Sequence, residues 1–125
     1  MLKIEKKVLY GLTSLLFLVA CGQAKPVPYE SIAWANSYYI EHPAGSLGAN
    51  AGGWLFRGAR DFRGELRVGY LIPGPITGNA KKRQAILSMV CPPRFEKIWQ
   101  ILPSKNKLVI IVWTKDNKFE DSVVC

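Results

Sequence analysis

The sequence predicts an α+β fold: a small antiparallel sheet of three to five strands, one main helix packed on one face, and one disulfide. Three observations lead there. Leu66, Val68, Tyr70 and Ile72 alternate with Glu65 and Arg67, the period-two pattern of a strand with one buried face. Residues 80–90 place Ile86, Leu87 and Val90 on one side of a helix. Of three cysteines, Cys91 and Cys125 both fall in the stretch expected to fold.

The first twenty residues read as an export signal. Lys3, Lys6 and Lys7 make a positive start, offset by Glu5, and residues 8–20 form a short apolar run. Thirteen residues are too few to span a bilayer, which takes roughly 20. Leu18-Val19-Ala20-Cys21 resembles the lipobox of bacterial lipoproteins. The resemblance covers only this N-terminal segment. It implies cleavage after Ala20, a thioether-linked diacylglycerol on Cys21 and an acyl group on the new N-terminus. Several acyl chains give lasting attachment where one does not. In such lipoproteins an Asp after the cysteine favours retention at the inner membrane. Gly22 stands here, which implies the outer membrane, with the protein facing the periplasm.

Residues 21–28 carry two prolines and read as a lipidated tether, leaving residues 29–125 for one domain. Tyr29–Glu41 reads better as a short helix, with Tyr29, Ile32, Ala33 and Ile40 along one stripe, than as a strand with Ala35, Ser37 and Tyr39 on one face. Residues 43–53 are rich in Gly and Ala and read as a loop; the Gly-Lys-Ser/Thr ending of a phosphate-binding loop is missing. Residues 54–56 make a short strand, residues 58–64 a turn region, and residues 65–72 the returning strand, stopped by Pro73-Gly74-Pro75. Thr77 or Asn79 caps the helix at residues 80–90, and Cys91-Pro92-Pro93 ends it. Residues 95–102 allow a helical turn or a strand. Residues 108–113, LVIIVW, read as a central strand because both faces are apolar. A polar turn at residues 115–118 leads to a last strand ending at Cys125.

With Cys21 assigned to lipid, Cys91 and Cys125 are an even pair in an oxidising compartment, which favours a disulfide. No Cys-x-x-Cys spacing or histidine cluster points to a metal, and no cofactor is expected beyond the lipid on Cys21.

The chain has 17 basic and 9 acidic residues; without the signal, 14 and 8 remain, a net charge of +6. Arg57, Arg60, Arg63 and Arg67 cluster around the hairpin, and Lys81, Lys82 and Arg83 open the helix, where the helix dipole disfavours cations. These seven are the candidate basic patch for an anionic partner such as lipid phosphate, lipopolysaccharide, peptidoglycan or an acidic protein, with a solvated charged face as the competing explanation. Nucleic acid is not an expected partner outside the cytoplasm. Trp34, Tyr38, Tyr39 and Trp54 are candidate aromatic contacts, with core packing as the competing explanation. His42 is the only histidine; with Ser37 or Ser46 it would be the sole basis for a hydrolase, and no Gly-x-Ser-x-Gly elbow accompanies it. The expectation is therefore a non-enzymatic lipoprotein: a binding or accessory subunit of an envelope assembly, or a module for an anionic lipid or glycan.

Overall fold

The computed structural model of the protein describes residues 25–47 and 51–125. The export signal, Cys21 and the first half of the tether lie outside the described residues. In chain order the elements are α1 (Tyr29–Glu41), α2 (Ala44–Leu47), β1 (Leu55–Phe62), β2 (Glu65–Ile72), α3 (Ala80–Ser88), α4 (Ile98–Ile101), β3 (Leu108–Thr114) and β4 (Phe119–Val124). The class is α+β, with the helices packed on one face of a four-stranded sheet. Among the described residues no helix is long and apolar enough to cross a membrane.

The strands lie in the order β1-β2-β3-β4. The outer pairs are antiparallel, but β2 and β3 run parallel, so the sheet is mixed where an antiparallel one was expected. The cause lies in residues 73–107, which carry α3 and α4 between these strands. Such a connection returns the chain to the end where β2 began, as parallel neighbours require.

β1 and β2 join through Arg63-Gly64, both at positive φ (51° and 87°), a two-residue turn suited to the twist of a hairpin. The first strand is therefore longer than the sequence indicated, and the turn shorter. β1 also carries a bulge: Phe56 pairs with Tyr70 and Gly58 with Gly69, leaving Arg57 as the extra residue.

The core lies between sheet and helices. Leu66, Val68, Tyr70 and Ile72 of β2 and Leu108, Ile110 and Val112 of β3 point into it, joined by Leu87 and Val90 from α3 and its end. α3 starts at Asn79, whose side chain accepts from the Lys82 N–H at 2.9 Å. The longest helix among the described residues is α1, and its buried face is not the expected stripe. Ser31, Ala35, Tyr38 and Tyr39 are buried, whereas Tyr29 and Ile40 are exposed. Small residues at positions 31 and 35 let α1 lie close to its neighbours, and Ser31 Oγ reaches the Ile101 carbonyl of α4. Tyr38 and Tyr39 are the large side chains on this buried face.

Cys91 and Cys125 form a disulfide with their Cα atoms 5.6 Å apart, tying the end of α3 to the residue after β4.

Candidate functional site

The sheet face opposite the helices is covered by no described element, and a groove of about 310 Å³ runs along it. Its floor is built by register. Gly58 and Gly69 stand directly opposite each other on β1 and β2, so the sheet is bare of side chains there. Ile111 lies beside Gly69 on β3. The Trp113 ring then folds over Gly69: a Cβ at that position would sit 2.9 Å from a ring carbon. Leu71 and Asn117 complete the far end.

Three arginines line the groove: Arg57, placed by the bulge, and Arg60 and Arg67, which are cross-strand partners. Like charges directly opposite on a sheet repel. Arg67 is partly offset, since its Nε and a terminal nitrogen both donate to Glu65 Oε1 at 3.2 and 3.0 Å, and its guanidinium lies 3.8 Å from the Phe62 ring centroid. Arg57 and Arg60 form no ion pair among the described residues. A groove with an apolar floor and two unbalanced guanidinium groups is suited to anionic groups carried on apolar bodies.

The seven basic residues do not form one patch. Arg57, Arg60 and Arg67 come together in the groove, and Arg63 sits at the hairpin turn with its guanidinium 5.4 Å from the Phe62 ring centroid. Lys81, Lys82 and Arg83 belong to α3, which packs beside β4. Arg83 is engaged there, 3.3 Å from both Glu120 and Asp121 carboxylates.

The N-terminal aromatics serve the core. Tyr38 and Tyr39 are buried, and Tyr39 donates to the Val90 carbonyl at 2.8 Å. Trp34 stacks on Tyr38 at 4.6 Å, and Trp54 leans on Tyr70. As a contact surface this group is therefore corrected: two of the four are inside. The aromatic residue in the groove is Trp113, which sequence reasoning placed in a strand without a further role. Its signal was present, as the one aromatic closing the run LVIIVW, but its contact with Gly69 is a matter of register.

His42 stacks on Tyr38 at 4.3 Å, and its Nδ1 donates to the Tyr38 carbonyl at 2.9 Å. Ser46 Oγ donates to the Pro43 carbonyl at 2.7 Å, so neither side chain is bonded to the other. Among the described residues no group of three His, Cys, Asp or Glu is placed to hold a metal.

Helical side chains bond the backbone of each edge strand at one or two residues. Asn36 of α1 bonds the backbone of Ala59 on β1, and Arg83 and Gln84 of α3 donate to the carbonyls of Glu120 and Ser122 on β4. No family model, no curated protein and no solved structure matches this chain.

Proposed function

We propose that the chain is a non-enzymatic lipoprotein of the bacterial envelope, anchored through Cys21 at the outer membrane and facing the periplasm. Its domain binds another component of an envelope assembly through the uncovered sheet face. One observation carries this reading: the face that the helices leave open holds a groove with an apolar floor and two arginines without an ion-pair partner among the described residues, while helical side chains bond the backbone of each edge strand. Blunted edges discourage partners that would add a strand and favour contact through the face. At about 310 Å³ the groove is near the lower limit for enclosing a small molecule. It suits a few side chains of a protein surface, with carboxylates meeting Arg57 and Arg60.

A photo-crosslinking residue at Asn117 tests this in living cells, with the same residue at Lys82 of α3 as reference. A discrete protein adduct at position 117, absent at 82 and lost on Arg57→Glu with Arg60→Glu, is the expected result. Adducts of equal yield at both positions, or an adduct indifferent to the two arginines, would sink the reading. An adduct with lipopolysaccharide or peptidoglycan in place of protein would move the assignment to an anionic lipid or glycan. The anchor has its own test: Cys21→Ser should release the protein to the soluble fraction, and undiminished membrane retention would refute it.

A further inference from the structure

We infer that the end of the domain bearing the β1–β2 turn and the loop before β3 rests on the membrane and contacts anionic phospholipid headgroups. The inference depends on the Cys21 anchor of the preceding reading and adds an orientation and a lipid class to it.

The path of the chain is the first argument. Lys25 and Val27 belong to the expected tether, yet both are fixed to the domain. The buried Asn106 donates through Nδ2 to the Lys25 carbonyl at 2.9 Å and to the Gly64 carbonyl at 2.8 Å. Asp61 Oδ1 accepts from the Val27 N–H at 3.0 Å and from the Gly64 N–H at 3.1 Å. The Lys107 carbonyl accepts from Leu66 N–H at 2.8 Å. The entering chain, the hairpin turn and the loop before β3 are thus sewn together at one end of the sheet.

Four peptide steps separate Cys21 from Lys25. Fully extended, they reach about 14 Å. A domain of this size is roughly 34 Å across. A lipid on Cys21 therefore keeps this end within reach of the bilayer, and the opposite end cannot take its place. With that end on the membrane, the strands of β1 and β2 lead away from it, each about 26 Å long over eight residues.

The charge of this end is the second argument. Lys25, Arg63, Lys105 and Lys107 are exposed and have no ion-pair partner among the described residues. The neighbouring acids are Asp61, engaged by two backbone N–H groups, Glu65, engaged by Arg67, and Glu30 at the start of α1. Tyr29, four residues after Lys25 and 84% exposed, adds an aromatic ring of the kind found at the headgroup level. Held within a Debye length of about 10 Å, each cation raises affinity for an anionic surface about fivefold. The upper groove, with Arg57, Trp113 and Asn117, is left turned away from lipid and open to a partner.

The test uses the full lipidated protein, purified from membranes and reconstituted into vesicles of equal parts phosphatidylcholine and phosphatidylglycerol, or of phosphatidylcholine alone. Lysines are acetylated and read by mass spectrometry. The expected result is several-fold protection of Lys25, Lys105 and Lys107 relative to Lys115 and Lys118 at the other end of the sheet. It should appear with phosphatidylglycerol, be released by detergent, and be lost at Lys25 in the variant Arg63→Gln with Lys105→Gln and Lys107→Gln. Uniform labelling of protein that floats with vesicles and carries lipid on Cys21 overturns the inference alone. Equal protection on phosphatidylcholine overturns the choice of an anionic lipid. Protein that neither floats nor carries lipid on Cys21 removes the anchor, and the orientation with it.

Discussion

Asn36 holds Ala59 as a neighbouring strand would: its Nδ2 donates to the Ala59 carbonyl at 3.2 Å, and its Oδ1 accepts from the Ala59 N–H at 2.9 Å. One side chain from α1 thus satisfies both outward backbone groups in the middle of an edge strand. Arg83 and Gln84 do the equivalent at β4, donating to the Glu120 and Ser122 carbonyls at 3.2 and 3.0 Å. Open edges are templates for association, and helical side chains interrupt each of them here.

Asn36→Ala removes the cover from β1 and leaves two backbone groups of the buried Ala59 without partners. The expected loss of stability is about 1–3 kcal/mol. Concentration-dependent self-association should accompany it, through the uncovered strand. Urea unfolding and sedimentation velocity measure the two effects. A variant that stays monomeric at unchanged stability would show that Asn36 does not protect the edge.

Two buried tyrosines predict opposite outcomes for the same substitution. The Tyr39 hydroxyl donates to the Val90 carbonyl, whereas the Tyr70 hydroxyl has no hydrogen-bond partner among the described residues. Tyr39→Phe should cost about 1–3 kcal/mol by stranding a buried carbonyl. Tyr70→Phe should be neutral or stabilising, because it removes a polar group that folding desolvates without return. Equal losses in denaturant unfolding would refute the distinction.

The same pair sets the behaviour of the domain in alkali. Burial, reinforced by neighbouring tyrosines, raises the pKa of both Tyr39 and Tyr70 well above the usual 10.0. Unfolded, they lose their protons near 10; folded, they keep them. Their contribution to stability is therefore complete below pH 10 and declines as pH rises above it, by about 1.4 kcal/mol per pH unit for each residue. Tyrosinate absorbance from these two should appear only together with the loss of far-ultraviolet circular dichroism. Ionisation of both in the folded state, ahead of unfolding, would contradict the assignment.

Much of the sheet was legible because its strands carry period-two patterns of their own. Leu66, Val68, Tyr70 and Ile72 point inward as their alternation indicates, and the run at residues 108–113 lies in an inner strand with residues 108–112 buried. The Cys91–Cys125 pairing followed from counting cysteines against a compartment. What could not be read is set by long-range register. Nothing local to β2 or β3 specifies that they run parallel. The bare floor of the groove exists only because the bulge at Arg57 brings Gly58 opposite Gly69. The face of α1 was misread for a different reason: its apolar stripe competes with a stripe of Ser31, Ala35, Tyr38 and Tyr39, and the two tyrosines win by burying more surface.

The disulfide closes a sequence separation of 34 residues, which the chain-entropy model values at about 4 kcal/mol. In a domain of this size that is a large share of the total stability. Cys91→Ser or Cys125→Ser should lower the unfolding midpoint markedly and expose one titratable thiol. Reduction of the unaltered protein should lower the midpoint by a similar amount, which separates the covalent link from any effect of the serine. A midpoint indifferent to reduction would mean that the link stabilises nothing.

The groove depends on Trp113 lying over a residue with no side chain, and this can be tested as a coupling. Gly69→Ala places a methyl group 2.9 Å from a Trp113 ring carbon, closer than two carbons can approach, so the ring must lift or the strands must part. Overpacking of this kind costs about 1–3 kcal/mol. Trp113→Phe shortens the ring system and should leave room for the new methyl. The double variant Gly69→Ala with Trp113→Phe should therefore be more stable than the sum of the single losses allows, by about 0.5–3 kcal/mol, the range seen for residues in direct contact. Crosslinking from position 117 should follow the position of the ring: weakened by Gly69→Ala alone and regained in the double variant. Additive stabilities would show that the ring does not rest on Gly69. Coupled stabilities with crosslinking unchanged in every variant would place the partner elsewhere on the uncovered face, since the floor of the groove would then have been rebuilt without consequence for binding.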